Sequence, residues 1–218
     1  EEEVASQTAN LRAALAAKSL LVHEVDHRVK NNLLTMASIV KMQARVTADQ
    51  GQKDALMSVL NRIEALSTVQ RKLFTLDDVS KFDISEFTRE LVTDLVGATG
   101  RTDISLSLDL SPVHVPAVKA TPLSLIVNEL VGTAVRRGLS AGGGDIHVSV
   151  KRTNGHFVIS VEDTSIPVVM DTEHAEFSEK LLEASALQLG AKIERKFENQ
   201  KTIVNVTLLV EANQEVAH

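Results

Sequence analysis

The chain has 218 residues, a formal net charge of −6, 44% hydrophobic residues, 3% aromatic residues that are all Phe, and no Cys. The acidic balance and the lack of Tyr and Trp argue against nucleic acid as partner, because little charge faces phosphates and no platform stacks bases. The lack of Cys excludes a disulfide framework and a thiolate metal site. No apolar run reaches the roughly 20 residues of a membrane span, and the acidic start EEEVASQTAN is not a secretory signal, so a cytoplasmic protein without membrane insertion is expected.

Residues 1–76 read as two helices. The first passes through Leu11, Leu15 and Leu20, long enough for its start to be a coiled-coil signal helix, and residues 20–45 contain neither Pro nor Gly. At about 100° per residue, Leu21, Val25, Val29, Leu33, Met36 and Ile39 share one stripe, and His27 lies nearly opposite. That imidazole therefore points away from the helix's own core. His23, Lys30 and Asn31 share its face, Glu24 and Arg28 flank it, and Leu20 and Leu34 stand a heptad to either side. The pattern suits an outward nucleophile with cations to steady a phosphoryl group and apolar residues for docking. A merely solvated face is the plainer reading of Arg28 and Lys30, and core packing the plainer one of Leu34.

The sequence ADQGQKD predicts a break, with Asp49, Gly51 and Asp54 as turn and cap residues. A second helix follows with Leu56, Val59, Leu60, Ile63, Leu66, Val69 and Leu73 as its stripe. Two helices cannot bury two broad apolar stripes alone, so a homodimeric four-helix bundle is expected; a cover by the C-terminal half is the alternative. Residues 79–97 predict a further helix capped near Asp83 or Ser85, with Phe87, Leu91 and Leu95 inward, ended by Gly97 and Gly100.

Thereafter strand and helix alternate. Residues 104–110 read as a strand, 122–137 as a helix, and AGGGD as a loop. DIHVSVKR and HFVISVED form a hairpin around Thr153, Asn154 and Gly155, then a helix near residues 177–189 leads to a second hairpin. The expected fold class is α+β: a helical hairpin forming a dimeric four-helix bundle, followed by an α/β sandwich. His114, His147, His156 and His174 are scattered without ligand spacing, so no metal site is expected.

The segment HEVDHRVKNNL resembles the phosphoacceptor helix of HWE-type histidine kinases and their sister HisKA class, which reads approximately E-x-x-H-R-x-K-N-x-L. Glu24, His27, Arg28, Lys30, Asn31 and Leu33 match in register. The resemblance implies that His27 is the phosphorylated histidine and His23 the weaker candidate. It also implies two domains: 1–78 for dimerisation and phosphoacceptance, and 79–218 as a Bergerat-type, ATPase-like domain.

TPLSLIVNELVGTAVRRG looks like the same kinases' N-box, with Pro122, Leu123, Leu125, Ile126, Asn128, Glu129, Leu130 and Ala134 matching. Where the family has its magnesium-binding Asn, this chain has Thr133, a poorer ligand for a hard cation. Arg136 and Arg137 replace Lys and His. The family's D-x-G-x-G becomes Asp163, Thr164, Ser165, Ile166, Pro167: the residue that contacts adenine in the family is kept and both glycines are lost. The next helix opens without a glycine cluster and carries Glu173, Glu176 and Glu179, which repel polyphosphate. These departures predict a degenerate nucleotide site at Asn128, Glu129, Thr133 and Asp163 that does not hold ATP productively.

The resulting expectation is a histidine phosphotransfer protein of a bacterial phosphorelay. His27 would take a phosphoryl group from a receiver-domain aspartate and pass it to another response regulator, with Arg28, Lys30, Asn31 and Glu24 around it and Leu20 and Leu34 as docking contacts. The receiver would bring its own Mg²⁺, and this chain would bind no cofactor. One alternative is an active sensor kinase core that autophosphorylates His27 with ATP. Another is a pseudokinase adaptor that only binds a regulator.

Overall fold

The structure, a computed structural model, describes residues 2–74, 82–140, 142–153, 155–164 and 172–209. Helix α1 spans Glu2–Val46, 45 residues without Gly or Pro, and runs about 68 Å at the usual rise per residue. Helix α2 spans Gln50–Phe74 and packs against it as a hairpin. Asp49 caps α2 by accepting the Gln52 N–H at 2.8 Å. Gly51 and Asp54, expected in the turn, lie inside α2 instead. One satisfied cap is enough to start the helix, and a glycine in the first turn costs only about 1 kcal/mol.

The line of α1 that faces α2 also differs from the expected stripe. Val29, Leu33, Ala37 and Val40 are half-buried and Ala44 is buried, whereas Leu21, Val25, Met36 and Ile39 are exposed. The covered line steps by four, four, three and four residues, while Met36 and Ile39 sit on the next line round the helix. On α2 the buried line is Ser58, Arg62, Ala65 and Val69, with Leu60 buried beside it. The C-terminal half covers this line, mainly through α4, so the cover weighed against dimerisation is present on one side of the hairpin. The exposed Met36, Ile39, Met42, Met57 and Val59 remain on others.

The remaining elements in chain order are β1 Phe82–Asp83, α3 Ile84–Gly97, β2 Ile104–Leu110, β3 His114–Val115 and α4 Ala117–Ser140. They continue with β4 Gly144–Thr153, β5 His156–Asp163, α5 Thr172–Leu189, β6 Lys192–Glu198 and β7 Lys201–Leu209. Asp83 caps α3 by accepting the N–H groups of Ser85 and Glu86. The two-residue ribbon β1–β3 was not expected. The expected domain boundary at residue 78 lies outside the described residues.

Five strands form one sheet in the order β2-β4-β5-β7-β6, with β2 parallel to β4 and the other pairs antiparallel. One face carries the core: Ile146, Val148 and Val150 of β4, Phe157, Ile159 and Val161 of β5, and Val204, Val206 and Leu208 of β7. Leu123, Ile126, Val127 and Val131 of α4 and Leu182 and Ala186 of α5 close over it. Asn199 and Gln200 both have positive φ, which is the two-residue turn whose twist suits a tight hairpin between β6 and β7. Helix α4 begins at Ala117, ahead of the expected start at Pro122, and carries that proline inside. Pro122 has no N–H to offer the carbonyl of Val118, a residue that is 77% exposed and open to water. Among the described residues no helix is long and apolar enough to cross a membrane.

Candidate functional site

His27 is exposed on α1, and Asn31 Nδ2 lies 3.1 Å from its Nδ1, one helical turn on. A half turn of the amide exchanges its oxygen and nitrogen, so Asn31 can either donate to the ring or accept its N–H. In the second orientation Nδ1 keeps the proton and Nε2 presents a lone pair outward. Replacing Asn31 by Ala removes one orienting hydrogen bond of about 1–1.5 kcal/mol, so phosphorylation of His27 is expected to slow about tenfold, read by rapid-quench labelling.

Arg28 is not free beside the imidazole. Its Nε donates to Glu24 Oε1 at 2.6 Å along the exposed helix surface, so it reaches a phosphoryl group only by leaving that partner. Lys30 is exposed, as are Leu20 and Leu34. The side chain of His23 lies outside the described residues.

The second set of residues lies on α4 and β5. Glu129 is 3% exposed and accepts from Arg62 Nε on Oε1 at 2.7 Å, from Arg62 Nη2 on Oε2 at 2.8 Å and from Ser178 Oγ on Oε2 at 2.7 Å. Asn128 Nδ2 adds a fourth donor at 3.2 Å, while its own Oδ1 is buried without a hydrogen-bond partner. Burial opposes ionisation of Glu129. The hydrogen bonds from Arg62 and Ser178, with the charges of Arg62 and Arg136, outweigh it and hold the carboxyl below its usual range. Burial also lowers Arg136, against the attraction of Glu129.

The depressed Glu129 carboxyl makes a pH prediction. Above the ordinary carboxylate value of about 4.3 the group is ionised in both folded and unfolded chain, and its stabilisation is complete. As pH falls through the lower folded value that stabilisation is lost. Urea unfolding followed from pH 6 downward should therefore fall more steeply for the native chain than for Glu129→Gln, whose curve lacks this component.

Thr133 Oγ1 accepts from Arg136 Nη2 at 3.0 Å. Asp163 is 3% exposed and lies 3.3 Å from Arg137 Nη2. Thr164, beside it, accepts the Asp145 N–H on Oγ1 and donates its own N–H to the Asp145 carbonyl, closing the end of β4 and β5. Ser165, Ile166 and Pro167 lie outside the described residues. A cavity of about 290 Å³ opens between α4 and α5, walled by Glu129, Thr133, Arg137, Ser178, Glu179 and Arg195 among others. Of the four residues assigned to the nucleotide site, only Glu129 and Thr133 line it.

The charges of this cavity are paired in part. Arg137 faces Asp163, and Arg195 donates to Glu179 at 2.6 Å. A nucleotide triphosphate with its metal needs free cations and an open hard-oxygen ligand. In this arrangement Arg137 and Arg195 face carboxylates and Glu129 is occupied by four donors, while Arg137 Nε is buried without a hydrogen-bond partner. Among the described residues no cluster of His, Asp and Glu could hold a metal ion. The sequence reading missed Arg62, Ser178 and Arg195, all three of which meet carboxylates distant in the chain.

Residues 24–99 match the family model described as histidine kinase, HisKA_2. The sensor histidine kinase PdtaS of Mycobacterium tuberculosis is 26% identical over 157 residues, 70% of this chain and 31% of that protein. PdtaS of Mycolicibacterium smegmatis is 28% identical over 130 residues, 59% of this chain and 26% of that protein. The chain thus spans about a third or less of these relatives' length. The histidine kinase domain of the Erythrobacter litoralis blue-light activated kinase EL346 superposes with a TM-score of 0.63 at 21% identity, covering 86% of this chain and 90% of that domain. The α+β architecture is therefore that of a histidine kinase core, and the resemblance read from the helix around His27 is matched independently by sequence and by fold.

Proposed function

We propose that this chain is a phosphohistidine carrier of two-component signalling: His27 accepts a phosphoryl group and exchanges it with response-regulator receiver domains. The observation that carries the reading is an exposed imidazole whose Nδ1 meets Asn31, on a segment matched to histidine kinases. With Nδ1 holding the proton, Nε2 attacks phosphorus in line. The N–P bond forms as the P–O bond to an aspartyl phosphate breaks, and the receiver's carboxylate leaves with the electron pair. The receiver supplies Mg²⁺ and its own acidic site. Leu20 and Leu34 give it apolar footing, and Lys30 a cation near the transferred oxygens. Exposed Met36, Ile39, Met42, Met57 and Val59 support a homodimer that completes a four-helix bundle.

The donor that first loads His27 separates two readings. Each relative described above is named as a histidine kinase, which supports autophosphorylation from ATP better than a receiver-only relay. The relay is favoured by the cavity between α4 and α5, where Arg137 and Arg195 each face a carboxylate and Glu129 accepts from four donors. Incubation with γ-labelled ATP and Mg²⁺, beside incubation with a labelled phosphoreceiver, decides between them. Steady acid-labile label on His27 from ATP establishes the kinase and removes the relay-only reading. Label from the receiver alone does the reverse.

A further inference from the structure

We infer that the cavity between α4 and α5 is a binding site for a small monocarboxylate with a short aliphatic body, held by Arg137 and taken up without a metal. The walls follow from helical spacing. Leu130, Thr133 and Arg137 fall three and four residues apart on α4, and Ala175, Ser178 and Leu182 do so on α5, so each helix turns one line of side chains to the same space. Val204 of β7 joins Leu130, Ala175 and Leu182 as apolar lining. The volume of about 290 Å³ lies at the bottom of the ~300–1,000 Å³ of ligand pockets, room for a short chain rather than for base, sugar and phosphates together.

Arg137 is the wall group that lacks an acceptor. Its Nη2 stands 3.3 Å from Asp163, longer than the ~2.7–2.9 Å of a charge-assisted hydrogen bond, and among the described residues its Nε is buried with no hydrogen-bond partner. A buried donor left unpaired is costly. A carboxylate supplies what is missing: two oxygens in one plane that match Nε and one Nη of the guanidinium fork, at a single negative charge. Nε is sealed from solvent, so the guanidinium turns from its long Asp163 contact toward the cavity to present it. Thr133 Oγ1 accepts from Arg136, which leaves its own hydrogen to donate to the same carboxylate. A phosphate is the poorer occupant, because its second negative charge faces Glu129 and Glu179 in the same walls. The apolar lining takes the aliphatic body. The inference does not depend on what loads His27.

The test is nuclear magnetic resonance of the full, nitrogen-labelled chain, read at the arginine Nε–H signals and at backbone amides. Titration with isovalerate is expected to move the Arg137 Nε–H proton downfield to saturation, together with the amides of Ala175 and Leu182. Isovaleramide, which has the same shape without the charge, and sodium chloride at matched ionic strength are expected to leave these signals in place. Arg137→Gln is expected to weaken isovalerate binding about tenfold or more, read at the same amides and at unchanged far-UV circular dichroism. Should Arg137→Gln not fold, Arg137→Lys carries the same test, since it keeps a charge opposite Asp163 but has no fork. Absence of a saturable response to isovalerate overturns the inference, as does an equal response to isovaleramide or to sodium chloride, or undiminished binding in the folded variant. A response to ADP with Mg²⁺ and none to isovalerate overturns it in favour of a nucleotide.

Discussion

Replacing His27 with Ala is expected to abolish acid-labile phosphate uptake from every donor, while helix content and thermal unfolding stay close to wild type. The side chain is exposed on α1 and, among the described residues, its polar contact is with the equally exposed Asn31, so its removal leaves no cavity and no buried orphan. Ala is also the better helix former by a few tenths of a kcal/mol. The loss is expected to be total because Arg28 has no free lone pair and is paired with Glu24, and the helix motif centres on His27 rather than His23. The measurement is phosphoryl incorporation with the acid and alkali stability of the product. Undiminished acid-labile label in the variant would transfer the role to another residue, His23 first. Loss of label with regulator binding and signalling both retained would favour the adaptor reading.

Local periodicity made that face legible, because a helix without Gly or Pro fixes which residues lie beside one another. It failed for Met36 and Ile39, since one helix can present apolar lines to more than one neighbour and the spacing does not say which neighbour is α2. The Asp83 cap of α3 and the inward Phe87 and Leu91 were likewise readable, being fixed by residues within one or two turns. Arg62 was not. It sits between Leu60 and Ile63 as an ordinary polar interruption, and its partner Glu129 is 67 residues away. Only the line of Ser58, Arg62, Ala65 and Val69, small or polar beside a leucine stripe, hinted at a second packing surface. Asn128, Glu129, Thr133 and Asp163 were placed by resemblance, which identified their helix and strand but not their present partners. Glu129 and Asp163 turn out to answer arginines. Charge pairing of this kind depends on tertiary approach, about which spacing in the chain is silent.

The second large effect is one of stability. Phe87→Ala is expected to cost about 3–5 kcal/mol, because a fully buried aromatic side chain leaves both its transfer energy and a void behind. Phe87 is 0% exposed and its ring lies 5.7 Å from that of Phe82, itself 1% exposed, in a tilted arrangement that adds to simple burial. The surroundings are poorly able to collapse. Ile84, Leu91 and Val92 hold α3 against the core from the same helix, and the Asp83 cap fixes where that helix starts. Phe87→Leu keeps much of the volume and should recover more than half of the loss. Urea unfolding of the two variants, followed by far-UV circular dichroism, measures both values. Phosphorylation of His27 in native buffer should change far less than stability, since Phe87 lies on the opposite unit from α1. A Phe87→Ala loss below about 1 kcal/mol would show that the void closes by repacking of the side chains around α3.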